Sequence, residues 1–267
     1  MKAKVLDING REVEAIDLPT QFSEPLNKTL IKRAVLAIQF NKRQSYGAFS
    51  RAGMRASAKL SRRRGEYKGA YNHGISRVPR KSLWKRGTQF GWVGAFMPGV
   101  VGGRRAHPPK PEKDFTKKVN KKENRKAIRS AISATLNPEL VKQHHKLPLI
   151  FPLILESKFE ALNKTKQVKE VLEKIGLKEE LRRISVKKVR AGKGKSRGRK
   201  YKVKTGPLIV IAKSCSLEKA SRNLQGIQIV PVNSLNTELL APGTVPGRLV
   251  IWTKDAIEKM KSGELFK

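Results

Sequence analysis

Cysteine is almost missing from this chain. Of its 267 residues only Cys215 carries a thiol, so no internal disulfide can form and no cysteine cluster is available for zinc, a pattern that fits a reducing compartment. Long apolar runs are missing too. Nothing approaches the roughly 18 consecutive apolar residues of a membrane-crossing helix, and no signal-peptide pattern opens the chain, so neither insertion nor secretion is expected and a cytoplasmic location is. Acids are scarce: 21 Asp and Glu stand against 59 Lys and Arg, a formal charge of +38. Self-repulsion on that scale opposes compaction unless a polyanion supplies counter-charge. Nucleic acid is the leading partner, because neutralising phosphates releases condensed counterions. An anionic membrane surface is the rival.

The same scarcity thins the case for catalysis. The acids are too scattered for paired carboxylates, and His73, His107, His144 and His145 form no metal-ligand set with Cys215 at recognised spacing. His144-His145 reads as the end of a helix with one ring exposed, and Cys215 as a small residue near a helix start. No catalytic residue, metal or cofactor is assigned.

What is present begins with an α/β pattern, and 38% hydrophobic content is enough for one sizeable core. Lys4 to Ile8 and Val13 to Leu18 flank Asn9-Gly10, a pair suited to a tight hairpin turn. Ser23 is placed to cap a helix with Pro25 in its first turn, along which Leu26, Leu30, Ile31, Ala34, Val35 and Ile38 recur at helical spacing while Lys28, Lys32 and Arg33 face away. A helix is expected over Asn124 to Leu136. Leu147 to Leu155 reads as a buried strand shortened by Pro148 and Pro152, and Lys158 to Ile175 as a helix stopped by Gly176. Three β-branched runs follow, Leu208 to Ala212, Ile227 to Val232 and Leu249 to Trp252. Helical pieces lie at Leu217 to Leu224, Asn236 to Leu240 and Lys254 to Met260, the last capped by Thr253. Such alternation predicts a mainly parallel, Rossmann-like sheet with helices on both faces.

Gln44 to Pro111 breaks that pattern and reads as neither helix nor strand. A long irregular stretch in a compact domain is usually functional or disordered. Between Glu24 and Glu112 its only acid is Glu66. Among its many cations and glycines lie Tyr67, Tyr71, Trp84, Phe90, Trp92 and Phe96, each able to stack on an unpaired base. A disordered tether would be poor in aromatics, so an extension ordered by RNA is expected. A second basic arm runs through 182–205, where Arg182 to Lys213 holds no acid. Gly194-Lys195-Ser196 matches the end of a P-loop, but the earlier glycine would fall on Val189 and no apolar strand leads in.

At Gly102-Gly103-Arg104-Arg105-Ala106-His107-Pro108-Pro109 the sequence resembles the archaeal and eukaryotic branch of the large-subunit ribosomal protein L-four family. Further matches are Arg77-Val78-Pro79-Arg80, the arm from Arg190 to Lys195, Gly206 to Val210, Leu239 to Thr244 and Pro246 to Leu249, so the resemblance covers essentially the whole chain. It implies a structural, non-enzymatic role: an α/β domain on the outside of the large subunit, and a long extended loop that penetrates ribosomal RNA and helps line the constriction of the peptide exit tunnel. The expected division is 1–43 for the hairpin and first helix, 44–111 for the loop, and 112–267 for the rest of the domain. The RNA-binding residues are then Arg51, Arg55, Lys59, Arg62, Arg63, Arg64, Lys68, Arg77, Arg80, Gly102, Gly103, Arg104, Arg105 and His107, with Arg190, Lys193, Lys195, Arg197, Arg199 and Lys200 on the arm. Lys81, Trp84, Lys85, Arg86, Gln89 and Phe90 belong to the tunnel-lining tip. Partners implied are large-subunit ribosomal RNA, which the family binds early in assembly, other large-subunit proteins and the nascent peptide, with no homo-oligomer. The chain ends without a long basic tail after Lys267, which points to an archaeal source. Two alternatives remain: an RNA-modifying enzyme on a Rossmann-like sheet, and a general nucleic-acid packaging protein.

Overall fold

Asn9-Gly10 does turn the chain. Strands β1 (Lys2–Leu6) and β2 (Glu12–Asp17) pair antiparallel. Between them the Asp7 amide donates to the Arg11 carbonyl at 2.9 Å while Gly10 takes φ +80°, the left-handed backbone that glycine adopts without penalty. The protein is described by a computed structural model covering residues 2–60, 63–66 and 70–266. It divides into two units: one takes the chain up to Lys42 together with everything from Thr116 onward, the other is Arg43–Phe115.

Helix α1 (Lys28–Asn41) follows in the first unit, but its cap is Asn27, not the expected Ser23. The Asn27 side chain accepts from the Leu30 amide at 2.9 Å, while Ser23 closes a short 3-10 turn, Thr20–Ser23. Tertiary packing sets this boundary. The buried Ser130 hydroxyl accepts from the Asn27 amide at 2.7 Å and donates to the Pro25 carbonyl at 3.0 Å, fixing the chain just ahead of the first turn.

Ser130 lies on α2 (Lys121–Ala134), which buries Ala127, Ile128, Ala131 and Ile132 at the expected spacing. The short α3 (Pro138–Lys142) is capped by Asn137. Only the end of the Leu147 to Leu155 run forms a strand, β5 (Leu153–Leu155). Pro152 has no amide to give a ladder, and Leu149 is fully exposed. The expected helix from Lys158 starts late: Ser157–Ala161 is a 3-10 turn and α4 occupies Thr165–Leu172. Gly176 breaks it at φ +94°, and α5 (Lys178–Ser185), absent from the sequence expectation, resumes beyond. Its apolar contribution is little more than Leu181 and Ile184 among charged residues, too few to show a periodic stripe.

Beyond α5 the basic arm is a small hairpin, β6 (Lys188–Val189) with β7 (Tyr201–Lys202). Then come β8 (Leu208–Ile211), α6 (Ser216–Ser221), β9 (Gln228–Pro231), α7 (Thr237–Leu240), β10 (Val250–Thr253) and α8 (Lys254–Ser262). Six strands form one sheet in the order β2-β1-β5-β10-β8-β9, parallel except for the β1–β2 edge pair. Ile251 of β10 lies opposite Leu153 on one side and Ile209 on the other. Alternation along each strand sorts the core into two layers. Val5, Ile154, Val210, Val250 and Trp252 pack with α1, α2, α7 and α8. Leu6, Leu153, Ile209, Ile211 and Ile251 pack with α4, α5 and α6. Trp252 stands edge-on to Phe22, ring centroids 5.1 Å apart.

In the Arg43–Phe115 unit the expectation of no regular structure is corrected. Strands β3 (Arg80–Arg86) and β4 (Gln89–Gly94) form an antiparallel hairpin. Its two-residue turn starts with Gly87 at φ +57°, which suits the primed turns that match strand twist. Trp84 faces Gly91 across the ladder, and a Cβ on Gly91 would sit 2.1 Å from the indole nitrogen. Outside the hairpin, limbs pass at backbone distance. The Ala48 amide donates to the Pro109 carbonyl at 2.9 Å, and a Cβ on Gly47 would lie 2.2 Å from Pro111 Cδ. Only glycine fits there.

Candidate nucleic-acid interface

Most of the expected binding residues are solvent-facing cations. Arg51, Arg55, Lys59, Arg63, Arg64, Arg77, Arg104, Arg105 and His107 are exposed. Arg80 is half-buried, its guanidinium donating to the Val78 carbonyl at 3.2 Å and the Ser76 carbonyl at 2.6 Å, so it shapes the hairpin's entry as well as carrying charge. Gly102 takes φ +75° and Gly103 packs on the Met97 carbonyl, turning the chain ahead of Arg104 and Arg105. Arg62 and Lys68, like Tyr67, lie outside the described residues. At the hairpin Trp84, Lys85, Arg86 and Gln89 are exposed, while Lys81 and Phe90 are half-buried. The Lys85 ammonium sits 5.4 Å from the Phe90 ring.

Cations and rings come in pairs throughout this unit. Arg55 covers Phe49 at 4.5 Å, Arg77 covers Tyr71 at 4.7 Å, and Arg43 covers Phe115 at 4.4 Å. A guanidinium over a ring loses little mobility when it goes on to stack on a base or fork onto a phosphate. Glu66 meets Arg63 at 3.1 Å. Phe49, Arg43 and Phe115 escaped the sequence reading; Phe49 lies only six residues from Arg55, whereas Arg43 and Phe115 sit at opposite ends of the unit, where chain proximity could not have joined them.

The arm presents a second patch. Lys193, Lys195, Arg197, Arg199 and Lys200 are exposed around the turns between β6 and β7, and Arg190 folds back to donate to the Arg199 carbonyl at 3.1 Å. Gly194-Lys195-Ser196 lies in that hairpin's turn with no helix after it. A phosphate cradle of the P-loop kind needs a strand feeding a helix N-terminus, so that match falls.

The carboxyl ends of parallel strands are where Rossmann-like sheets bind ligands. Here the ends of β8 and β10 are occupied by protein groups. Glu160 accepts from the Ala212 amide at 3.0 Å and from the Thr253 hydroxyl at 2.6 Å, and Lys259 donates to the Ala212 carbonyl at 2.6 Å. Burial pushes the Cys215 thiol up, away from reactivity. Among the described residues no group of three or more His, Cys, Asp or Glu side chains is set to hold a metal ion, and no helix is long and apolar enough to cross a membrane.

A buried ionic cluster stands below the arm. His145 Nδ1 lies 2.7 Å from Glu180, which also accepts from the Lys146 amide at 3.0 Å and from Arg183 at 2.6 and 2.7 Å. Burial works to raise the Glu180 carboxyl, but the hydrogen bonds from Arg183, His145 and the Lys146 amide outweigh it and hold the group down at about 2. Arg183 donates onward to the Thr205 carbonyl at 2.6 Å, where the chain leaves the arm. As expected, one ring of the His144-His145 pair is exposed and the other buried; its partner Glu180 was not foreseen.

Comparison with known proteins points one way. The model of the ribosomal protein L4/L1 family matches residues 16–263. The large ribosomal subunit protein uL4 of Nanoarchaeum equitans is 46% identical over 268 residues, spanning all of both chains. The proteins of that name from Archaeoglobus fulgidus and Methanocaldococcus jannaschii are 45% and 46% identical over 260 and 264 residues, covering 97% and 98% of each chain.

Proposed function

The chain belongs to the ribosomal protein L4/L1 family, a structural component of the large ribosomal subunit and not an enzyme, and we propose that its basic surfaces bind the RNA of that subunit. Residues 44–111 act as the RNA-penetrating loop, and 1–43 with 112–267 supply the domain that anchors it. Arg51, Arg55, Lys59, Arg62, Arg63, Arg64, Lys68, Arg77, Arg80, Arg104, Arg105 and His107 neutralise phosphates where RNA helices converge, and the glycines of the segment, Gly102 and Gly103 among them, let backbones approach. The arm from Arg190 to Lys200 clamps a second strand. The β3–β4 hairpin, with Lys81, Trp84, Lys85, Arg86, Gln89 and Phe90, faces the exit tunnel and the nascent peptide. Neighbouring large-subunit proteins complete the partners, and the bound RNA is organised early in assembly.

One observation carries this: exposed arginines lie over aromatic rings along a unit whose sequence holds almost no acid. Salt alone would satisfy isolated surface cations, whereas stacked cation–ring pairs match the two faces of single-stranded RNA, phosphate and base. Chemical footprinting of the full chain on large-subunit ribosomal RNA tests it. Protection confined to a few RNA segments, lost when Arg104 and Arg105 become alanine, is expected. Diffuse protection, or equal affinity for duplex DNA, would instead support a packaging protein.

A further inference from the structure

Where the first and last residues of the Arg43–Phe115 unit come together, two rings lie almost parallel: Tyr46 and Phe115, 6.0 Å between centroids and 13° between planes. The Arg43 guanidinium stands 4.4 Å from the centre of Phe115 and 5.5 Å from that of Tyr46, and the Lys113 ammonium 5.5 Å from Phe115. Beside them opens a recess of about 680 Å³ whose wall includes Arg105, His107, Lys110 and Lys113. The rings are not needed to close the loop, because the Ala48–Pro109 hydrogen bond and the contact of Gly47 with Pro111 already do so. Nor do they join either core layer. Tyr46 remains 55% exposed.

We propose that this recess is a binding site for one unpaired nucleotide of the RNA, its base stacked on the Tyr46–Phe115 platform and its phosphate held by Arg105, His107 and Lys110. The assignment rests on the RNA-binding function proposed above and adds a site to it. A base cannot slide between the rings, since that takes about 7 Å, twice the ~3.4 Å rise of stacked bases. It therefore lies on an outer face of the pair. Glu112, the one acid of the wall, offers its carboxylate to a base amino group, while the cations carry the backbone. A volume within the ~300–1,000 Å³ range of small-molecule sites fits a nucleotide.

Affinity of the full chain for transcribed large-subunit ribosomal RNA, measured across a salt series, tests the site. The ring that carries the base loses a base–aromatic stack, so one of Tyr46→Leu and Phe115→Leu should weaken binding roughly 5- to 150-fold, and the other, which only backs the platform, should weaken it less. Neither removes a charge, so the salt dependence should not change. Tyr46→Phe should bind within twofold of the parent, and ultraviolet crosslinking followed by mass spectrometry should place an RNA adduct on Tyr46 or Phe115. Far-ultraviolet circular dichroism establishes that the variants are folded. If both leucine variants bind like the parent under conditions where Lys193→Ala with Lys195→Ala is weakened, RNA binding stands and the nucleotide site is refuted. If the parent prefers this RNA no more than an unrelated one, the RNA-binding function fails and the site falls with it.

Discussion

Replacing Glu180 should do more damage than replacing any surface acid, and should do so in a pH-dependent way. Its side chain is fully buried and accepts four hydrogen bonds, from His145, the Lys146 amide and two Arg183 nitrogens. Glu180→Ala strips the largely buried Arg183 guanidinium of its carboxylate, a change that costs up to about 3 to 5 kcal/mol. Glu180→Gln keeps an acceptor and the volume but removes the charge, so its cost is smaller. The carboxyl sits at about 2 where its ordinary value is 4.5, equivalent to about 3 kcal/mol of stabilisation when ionised. Because the folded-state value is depressed, that stabilisation is complete above about pH 4.5 and disappears as pH falls toward 2. Thermal and urea denaturation of the full chain, followed by circular dichroism at several pH values, read both effects. At neutral pH Glu180→Ala should lower the melting temperature by roughly 6 to 20 °C for a unit of this size. Across pH 4.5 to 2, Glu180→Gln should lose stability less steeply than the parent. Parallel pH profiles for the two proteins, or an alanine variant within about 0.5 kcal/mol of the parent, would refute the assignment.

The start of α1 can be tested by a pair of substitutions: Asn27→Ala should cost about 1 kcal/mol as a lost cap, while Ser23→Ala should leave denaturation midpoints nearly unchanged. Trp252→Ala opens a cavity in the middle of the sheet against Phe22 and should cost about 3 to 5 kcal/mol in the same assay, with Trp252→Phe markedly milder. Converting Lys193, Lys195, Arg197 and Arg199 together to alanine should flatten the dependence of log affinity on log salt by about 0.7 for each phosphate that the arm no longer neutralises. An unchanged slope would remove the arm from the RNA surface.

The interior strands were legible because β-branched runs such as Leu208-Ile209-Val210-Ile211 have few other places to go. The same holds for Thr253, whose hydroxyl caps α8 at the Ala256 amide. What escaped depended on partners distant in sequence. Ser23 read as the cap of α1, and what moved the start to Asn27 was Ser130, 103 residues further along the chain. In the β3–β4 hairpin the pairing signal was masked by charge, and Trp84, Phe90 and Trp92 read as free stacking groups. The structure instead lays Trp84 over Gly91 while leaving the indole half-exposed. At the candidate interface the cations were plain from composition, but the Tyr46–Phe115 pair and the His145–Glu180 contact join residues no local pattern connects.

The position of β10 has a consequence for how the chain can be made. It is the last strand in sequence, yet it lies between β5 and β8, so what precedes it is two half-sheets with no ladder between them. A growing chain that has not yet reached Val250 exposes the unpaired edges and apolar faces of both halves, the state in which chains aggregate. The arginine-rich segment, synthesised far earlier, has already emerged while the sheet still waits for its centre. Closure has to wait for β10 and runs through contacts between segments far apart in sequence, which makes it slow. A product cut short before β10 therefore loses more than an edge: it lacks the strand that makes the two halves one sheet.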